Sequence, residues 1–429
     1  MNFFLATRAS SRARSLLLAC LPLAVAVPTA CNVGSLSGSG GDDDQGGGGD
    51  GGGDGGGGDG GGGGVDGGGA AQPDGGGSVG GGSGTLRAVG GQIVDTGGNP
   101  VRITGINWFG FETETLALHG LHLRSMDSFL DQIVELGFNT LRVPFTSQLF
   151  DPGATAGGIN FNVNPDLMGK SPPEILDILI QKAGARGLRV ILDRHRPSSA
   201  GQTELWYTEQ YSEERWIADF VALATRYADN PTVIAFDLHN EPHGPATWGD
   251  GSTTTDWRAA AQRAGNAILA VDPDVLIIVE GIENVANQYY WWGGNLRGAR
   301  EAPVQLAVSE RVVYSPHDYP ASLFAQPWFS DPTYPANLPG VWRDTWGYLA
   351  EEGTAPVLVG EFGTKYETAS DQAWLQSLVQ YIGANGLSFT YWTLNPDSGD
   401  TGGILEDDWQ TVREDKMAVL RPILAPALP

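Results

Sequence analysis

The sequence predicts a (β/α)8 TIM barrel, and three observations support this prediction. From residue 101 onward, short β-rich runs alternate with amphipathic helical runs, and there are eight of these β-rich runs. The 345 residues from Thr85 to Pro429 have a length that is common for one domain of this kind. Polar residues stand at the ends of the β-rich runs, where TIM barrels hold their active sites.

The eight predicted strands are listed in chain order: residues 101–108, 140–145, 189–195, 233–241, 276–282, 312–319, 356–361 and 387–392. The predicted helices cover residues 125–136, 173–185, 213–228, 255–271, 341–352, 370–382 and 412–424. The fifth connection, 283–310, has a weak helical signal and is predicted to be an elaborated loop. Residues 86–103, with a turn at 96–99, predict a hairpin that closes the bottom of the barrel.

The first residues of the chain predict export. Arg8, Arg12 and Arg14 precede an apolar run over 16–27, which is too short to span a bilayer and is typical of a signal peptide. We therefore assign residues 1–30 to a signal peptide. Cys31 follows Pro-Thr-Ala, which resembles the lipobox of bacterial lipoproteins, so Cys31 is a candidate for lipidation. An outer-membrane or cell-surface lipoprotein is the first expectation, and simple secretion after cleavage near Ala30 is the alternative.

Residues 31–84 are predicted to be a disordered linker rich in Gly and Asp. The stretch 32–84 holds 30 of the 63 glycines and eight Asp, with no Lys, Arg or aromatic residue. Such a segment cannot bury enough apolar surface to offset its ordering entropy. The folded, catalytic domain is therefore expected to be 85–429, which contains no cysteine and so no disulfide or thiolate metal site.

The charge of the chain argues against one class of partner. Residues 85–429 have 22 basic and 42 acidic side chains, which gives a net charge of −20 out of −25 for the whole chain. A body this acidic repels phosphate backbones, so nucleic acid is not an expected partner. We expect a monomer without a cofactor, and membrane contact only through the N-terminal lipid anchor.

The side chains at the strand ends are expected to converge on one rim of the barrel. Alternation places Asp237, His239 and Glu241 on one face of strand four. The other strand-end residues are Arg142 (strand two), Asp193 and His195 (three), His317 and Tyr319 (six), Glu361 (seven) and Trp392 (eight).

Two carboxylates on this rim, Glu241 and Glu361, suit glycoside hydrolysis, which needs one acid that is protonated and one that is ionised. A metal cluster is the competing interpretation, with candidate ligands Asp193, His195, His239, Glu241, His317 and Glu361. Arg142 is a permanent cation among these residues and would oppose a bound divalent ion, so we expect no metal. No Ser or Cys with a nearby base stands at the strand ends, and no Gly-rich phosphate loop follows strand one. The sequence therefore argues against acyl transfer and phosphoryl transfer.

Four motifs carry a family resemblance: Leu-Asp-Arg-His-Arg-Pro (192–197), Leu-His-Asn-Glu-Pro (238–242), His-Asp-Tyr (317–319) and Gly-Glu-Phe-Gly (360–363). Together they resemble glycoside hydrolase family 5. Segments 106–115, 290–296 and 395–412 are similar to the bacterial endo-β-1,4-glucanases of that family, and the similarity runs from about 86 to 424. The resemblance implies retaining hydrolysis of internal bonds of cellulose or soluble β-glucan through a covalent glycosyl-enzyme.

The resemblance also implies roles for individual residues. Glu241 would be the general acid/base, Glu361 the nucleophile, and Asn240 a partner of the sugar 2-hydroxyl. Arg142 and Tyr319 would flank Glu361 and favour its charged form. His195 and His317 would hold substrate hydroxyls and the carboxylate network. Asp193 and His239 are expected to support these groups without touching substrate.

The tryptophans divide by their positions in the pattern. Trp392 would be the platform under the sugar at the cleaved bond, as the resemblance implies. Four tryptophans in loops or strand ends, Trp108, Trp206, Trp291 and Trp292, are expected at the mouth as stacking surfaces for a glucan chain. Five others lie in helical patterns and are expected in the core: Trp216, Trp257, Trp342, Trp346 and Trp374. The family pattern has Trp where this chain has His122 and Gln where it has Glu283, which puts a distal stacking subsite and one polar contact in question.

Two other functions remain open from the sequence. A β-mannanase or a mixed-linkage β-glucanase could use the same rim, because loops discriminate the sugar 2-hydroxyl. A surface glucan-binding protein without activity is the other class, and the presence of both carboxylates and of Arg142 argues against it.

A retaining enzyme needs its carboxyl groups about 5 Å apart, whereas an inverting one needs roughly 6.5–9.5 Å.

Overall fold

A computed structural model of the chain describes residues 85–429. The predicted signal peptide (1–30), the lipidation candidate Cys31 and the predicted linker (31–84) lie outside the described residues and stay predictions. Among residues 85–429, none of the helices combines the length and the apolar character that crossing a bilayer requires.

Eight parallel strands form the barrel, and they follow one another in chain order. The strands are β1 (Thr104–Asn107), β2 (Thr140–Thr146), β3 (Arg189–Arg196), β4 (Val233–Asp237), β5 (Leu276–Glu280), β6 (Val312–Ser315), β7 (Leu358–Val359) and β8 (Ser388–Tyr391). Neighbours pair in parallel from β1 to β6, β7 pairs with β8, and β8 pairs with β1. Between β6 and β7 the contact consists of two bridges, Tyr314–Val357 and His317–Glu361. The predicted fold class is confirmed.

In the described part of the chain, seven α-helices lie between these strands and an eighth follows β8. They are α1 (Met126–Glu135), α2 (Pro172–Ala185), α3 (Glu213–Tyr227), α4 (Trp257–Leu269), α5 (Leu338–Trp342), α6 (Tyr348–Glu351), α7 (Ala369–Ala384) and α8 (Glu414–Leu420). A π-helical turn, Arg343–Gly347, joins α5 to α6. Polar side chains cap the starts of α1, α3, α4 and α7, as where the Asp256 side chain accepts a hydrogen bond from Ala259 N at the start of α4. All seven predicted helical segments therefore contain a helix.

The connection between β5 and β6 is an elaborated loop, as predicted. A two-stranded hairpin (Asn284–Val285 with Gln288–Tyr289) is followed by a 3-10 turn, Arg297–Arg300. This loop passes the barrel mouth and therefore helps to shape the site described below.

The segment before β1 differs from the predicted hairpin. It is a three-stranded antiparallel meander of Arg87–Val89, Gln92–Val94 and Pro100–Val101. The second of its two turns is the predicted one. The first was missed because Gly90, with φ of +55°, reverses the chain after only three strand residues. Leu86 and Ile93 pack against barrel residues such as Ile278, so the meander covers the amino-terminal end of the barrel.

The tryptophans show where the packing between barrel and helices is densest. The five tryptophans predicted for the core (Trp216, Trp257, Trp342, Trp346 and Trp374) are all fully buried, which confirms that prediction. Trp108 and Trp206 are also fully buried, so their predicted place as stacking surfaces at the mouth is wrong.

The reason is local for each residue. The Trp206 ring packs against Trp216 of α3 and Trp257 of α4, with centroid distances of 6.3 and 5.4 Å. Trp108 lies 4.9 Å from the Phe129 ring of α1 and donates its indole N–H to the His119 carbonyl. Because the connections fold back over the helices, neither indole presents a face to a ligand.

Candidate active site

Arg142 lies in β2 at the centre of the strand ends and is completely buried. Its Nη1 donates to Glu361 Oε1 (2.7 Å), and its Nε donates to Asp237 Oδ2 (3.0 Å). Its Nη2 donates to Glu280 Oε1 (3.1 Å) and lies 3.2 Å from Asp193 Oδ2. Burial lowers the pKa of Arg142, but these four carboxyl groups raise it well above its usual value. The site is therefore built around a fixed positive charge.

Two amides complete the surroundings of Arg142. Asn107 Oδ1 accepts from Nη1 (3.0 Å) and Asn240 Oδ1 accepts from Nη2 (3.1 Å). Asn107 Nδ2 also donates to the Gly360 carbonyl (3.1 Å), which ties Arg142 to the chain just before Glu361. Sequence reasoning missed Asn107. Its signal was a polar side chain next to the end of the predicted β-rich run 101–108, and in the structure it is the last residue of β1.

Glu361 follows β7, and each of its carboxylate oxygens is held. Oε1 accepts from Arg142, and Oε2 accepts from the Tyr319 hydroxyl at 2.7 Å. His317 Nδ1 lies 3.5 Å from Oε2, and His195 Nδ1 lies 3.9 Å from Oε1. Burial raises the pKa of Glu361. This effect is outweighed by the charges of His317, Arg142 and His195 and by the Tyr319 hydroxyl, so the pKa falls to about 2. Glu361 is therefore ionised near neutral pH.

Glu241 lies beyond the end of β4 in a left-handed backbone conformation, with φ of 54°. Such a conformation is strained for a residue with a side chain and persists only where its surroundings enforce it. Here the Glu241 N–H donates to Glu280 Oε2 at 2.7 Å. The side chain then reaches His317, whose Nδ1 lies 2.9 Å from Oε1, and Gln202, whose Nε2 donates to Oε2 at 2.8 Å. The Glu241 side chain is 14% exposed, compared with 4% for Glu361.

His317 lies among three carboxyl groups. Nδ1 faces Glu241 and Glu361, and Nε2 lies 3.3 Å from Glu280 Oε1. Burial lowers the pKa of His317, but Glu280 and Glu361 raise it well above its usual value. We therefore assign a positive charge to this imidazole, which links the carboxyl groups of strands β4, β5 and β7.

Glu280, the last residue of β5, was not predicted as a site residue. It contacts Arg142 and His317 through Oε1, and it holds the Glu241 backbone through Oε2. Burial raises the pKa of Glu280 to about 8 and that of Asp237 to about 7. These two carboxyl groups therefore hold protons much more readily than Glu361 does. The sequence did contain a signal for this residue, because Glu280 is the acidic residue that ends the apolar run Leu-Ile-Ile-Val-Glu.

His195 and Asp193 form a pair on β3. Asp193 Oδ2 lies 2.6 Å from His195 Nδ1, and the imidazole stacks on Trp392 with a centroid distance of 5.5 Å and an interplanar angle of 10°. Burial lowers the pKa of His195, but Asp193 raises it above its usual value. Asp193 therefore orients His195, in agreement with its predicted supporting place.

His239 departs from the predicted alternation. Regular strand geometry would place it with Asp237 on the inner face, but β4 ends at Asp237, and Asn240 is the residue that reaches Arg142. His239 Nδ1 instead lies 3.1 Å from Arg194 Nη1, in a completely buried position. Burial and the adjacent Arg194 charge lower its pKa well below its usual value, so His239 is neutral.

Two of the predicted aromatic surfaces are partly exposed. Trp392 stacks on His195 and on Phe109, which sequence reasoning missed. Trp292 stacks on His243 with a centroid distance of 3.8 Å. Trp291 is only 7% exposed and packs against Tyr319, so its predicted place as an open stacking surface is corrected.

The two positions that depart from the family pattern have ordinary contacts. His122 packs edge-on against the Trp409 ring at 6.0 Å. Glu283 accepts a hydrogen bond from Gly244 N at 3.1 Å.

Three groups of these side chains have the spacing of metal ligands: Asp193, His195 and Glu361; Glu241, His317 and Glu361; and Asp193, Asp237 and Glu280. Every group contains at least one carboxylate that contacts Arg142, and in the third all three do. A guanidinium at 3.0–3.2 Å occupies the place that an ion would need there. The absence of a metal stays a prediction.

The separation of the two glutamates bears on their chemistry. One carboxylate oxygen of Glu241 and one of Glu361 lie within 4.8 Å of each other. This fits the spacing of about 5 Å in retaining glycosidases and is too short for the roughly 6.5–9.5 Å that an inverting pair needs. One side chain is ionised and buried, and the other is more exposed, so the pair can serve as nucleophile and acid/base.

Residues 94–398 match the family model for cellulase (glycosyl hydrolase family 5). The chain belongs to this family of glycoside hydrolases. An endoglucanase of Paenibacillus polymyxa is 55% identical over 350 residues, which cover 80% of this chain and 88% of that protein. The major extracellular endoglucanase of Xanthomonas campestris pv. campestris is 43% identical over 339 residues, 77% of this chain and 69% of that protein.

Solved structures agree with these relatives. The catalytic domain of the Xanthomonas campestris enzyme superposes with a TM-score of 0.76 at 42% identity, covering 79% of this chain and 99% of that one. A cellotetraose complex of the endocellulase from Pyrococcus horikoshii has a TM-score of 0.75 at 40% identity, covering 80% of this chain and 99% of that one.

Substitution of Gly293 tests the support of Glu241. A Cβ atom on Gly293 would lie 2.3 Å from Glu280 Oε2 and 3.0 Å from Glu241 Cα. We expect Gly293→Ala to displace Glu241 and to lower kcat on carboxymethylcellulose about 100-fold, since small displacements of catalytic groups have effects of this size.

Gly251→Ala is the matched control. Gly251 has a similar φ of +79°, but a Cβ atom there would meet nothing within 4 Å. Both variants carry the left-handed backbone penalty of about 1–2 kcal/mol. Equal kcat values for the two variants would show that the clash with Glu280 and Glu241 has no catalytic consequence.

Proposed function

We propose that this chain is an exported, retaining endo-β-1,4-glucanase that hydrolyses internal bonds of cellulose or soluble β-glucan. The observation that carries the proposal is the Glu241–Glu361 pair, whose carboxylate oxygens lie within 4.8 Å of each other. Glu361 is ionised and almost fully buried, and the Glu241 side chain is more exposed. The endoglucanases that resemble this chain over most of its described length support the choice of β-1,4-glucan over mannan.

In the first step, a Glu361 oxygen attacks the anomeric carbon of the sugar while Glu241 gives its proton to the glycosidic oxygen. The bond between the anomeric carbon and that oxygen breaks, and the leaving chain departs as an alcohol. The low pKa of Glu361, about 2, keeps this nucleophile ionised. Tyr319 can hold it as a hydrogen-bond donor because burial and the Glu361 charge raise the Tyr319 pKa well above its usual value.

In the second step, Glu241 acts as the base. It takes a proton from a water molecule, the water oxygen bonds to the anomeric carbon, and the bond to Glu361 breaks. Glu241 is then protonated and Glu361 is ionised again, so the enzyme returns to its starting state. The anomeric configuration is retained because two inversions occur.

The remaining groups would position the sugar. Asn240, fixed by Arg142, has its side chain next to the carboxylate pair and would bind the 2-hydroxyl. His195 and the partly exposed Trp392 ring would contact the sugar at the cleaved bond. Trp292 would stack on a sugar further along the chain. We propose that the protein works as a monomer, since all these groups come from one chain.

Substitution of Glu241 tests the proposed reaction. We expect reducing-end release from carboxymethylcellulose by the wild type, and a rate at least about 1000-fold lower for Glu241→Gln, because the amide cannot transfer the proton. Glu135→Gln, on the surface of α1, is the control and should keep full activity. Mannan, xylan and mixed-linkage β-glucan belong in the same assay. Faster hydrolysis of mannan would reject the glucanase assignment, and binding without hydrolysis would reject the enzyme.

The pH profile of a Tyr319→Phe variant tests the electrostatics of Glu361. The Tyr319 hydroxyl stabilises the ionised form of Glu361 at 2.7 Å, so its loss raises the Glu361 pKa above its value of about 2. We expect the acid limb of kcat/KM to move up by about one pH unit. Tyr289→Phe, at a 61% exposed residue, should leave the profile unchanged. Coincident acid limbs for Tyr319→Phe and wild type would contradict the proposed contact.

We also propose that Cys31 is lipidated and that residues 31–84 tether the barrel to the cell surface. The signal-like sequence before Cys31 supports this idea. In a bacterial host we expect the wild type in the membrane fraction and Cys31→Ser in the soluble fraction or the medium. The matched control is Cys20→Ser, which changes the other cysteine of the chain, inside the apolar run 16–27, and should stay with the membrane. Equal partitioning of wild type and Cys31→Ser would favour simple secretion.

A further inference from the structure

The two oxygens of Glu241 have different partners. Oε1 lies 2.9 Å from His317 Nδ1, and Oε2 accepts from Gln202 Nε2 at 2.8 Å. His317 also lies 3.3 Å from Glu280 and 3.5 Å from Glu361, and an imidazole among three carboxyl groups is cationic, with N–H donors on both nitrogens. Oε1 therefore already accepts a hydrogen bond from the Nδ1–H group of the cationic His317. The proton that Glu241 transfers fits Oε2, because the Gln202 amide can turn from hydrogen-bond donor to acceptor, whereas a cationic imidazole can only donate.

We infer that Gln202 is a positioning residue for proton transfer, with its side-chain amide bound to the oxygen of Glu241 that gives and takes the proton. This inference rests on the proposed function, in which Glu241 is the acid/base. It adds a residue that lies outside the strand ends, on the connection between β3 and α3.

The backbone on both sides of Gln202 is anchored. Before it, Ser199 donates its N–H and its hydroxyl to Gln148 Oε1, at 2.9 and 3.0 Å. After it, the Glu204 carbonyl accepts from His243 N at 3.1 Å. His243 is two residues from Glu241, and its Nδ1 lies 2.7 Å from the Glu241 carbonyl. The loop therefore presents the Gln202 amide to Glu241 from a fixed position.

An amide suits both protonation states of Glu241. While Oε2 carries the proton, the amide oxygen of Gln202 can accept a hydrogen bond from the Oε2–H group after rotation about the last side-chain bond. When the Oε2–H bond breaks, the proton goes to the glycosidic oxygen, the bond from that oxygen to the anomeric carbon breaks, and Glu361 bonds to the carbon. Oε2 is then an anion, and Gln202 Nε2–H is its donor. In the second step Oε2 takes a proton from water and the amide turns back.

The test compares two substrates in a Gln202→Met variant, which keeps the side-chain length but has no N–H donor. On cellotetraose, loss of the donor destabilises the ionised form of Glu241, so the protonated form persists to higher pH. We expect the alkaline limb of kcat/KM to move up by about one pH unit. A dinitrophenyl cellotrioside has a leaving group that departs without a proton. Its kcat/KM should stay within about twofold of wild type.

Two further variants make the outcome decisive. Gln202→Glu places a second carboxyl group at Oε2, so the alkaline limb should move up further than in Gln202→Met. Gln210→Met changes an exposed glutamine on the same connection and should match wild type on both substrates. Equal losses on both substrates in Gln202→Met, or no change on either, would overturn the inference. A wild type that hydrolyses no β-glucan would instead reject the proposed function.

Discussion

The burial of one guanidinium is the interaction on which the rest of the site depends. Removing a charge of this kind from water costs several kcal/mol, and only close partners offset that cost. Arg142 has six: the carboxyl groups of Asp193, Asp237, Glu280 and Glu361 and the amides of Asn107 and Asn240. They come from β1, β3, β4, β5 and β7 or from the residues that follow these strands. Because each partner is needed to satisfy the charge, the ends of the barrel strands are fixed relative to one another.

The same cluster gives its carboxyl groups very different pKa values. Several carboxyl groups so close together cannot all stay ionised, and burial raises the pKa values of Asp237 and Glu280 to about 7 and 8. Glu361 differs because His317, His195 and the Tyr319 hydroxyl face it in addition to Arg142, and its pKa falls to about 2. The carboxylate proposed as nucleophile therefore stays ionised beside carboxyl groups that hold their protons more readily.

The regular part of the molecule could be predicted from the sequence, whereas the departures from regularity could not. Hydrophobic periodicity located all eight strands and the seven helical segments. It failed where the chain leaves the strand geometry, as at His239, because alternation holds only while the backbone stays extended. It also failed for Trp206, since the path of a loop over α3 and α4 is decided by packing and not by local pattern. Glu280 was missed although it stands at a strand end, because no motif drew attention to it.

Glu280 also shows how the backbone and the charges of the site are coupled. Its Oε1 belongs to the cluster around Arg142 and His317, and its Oε2 holds the N–H of Glu241 in a left-handed conformation. The strain at Glu241 is therefore maintained by the same buried carboxyl group that contacts the central cation. It follows that the direction of the Glu241 side chain is set by β5 and by the glycine at position 293, and not by β4 alone. In this barrel Glu241 is placed by its neighbours, so a change far from Glu241 in sequence can move it as much as a change beside it.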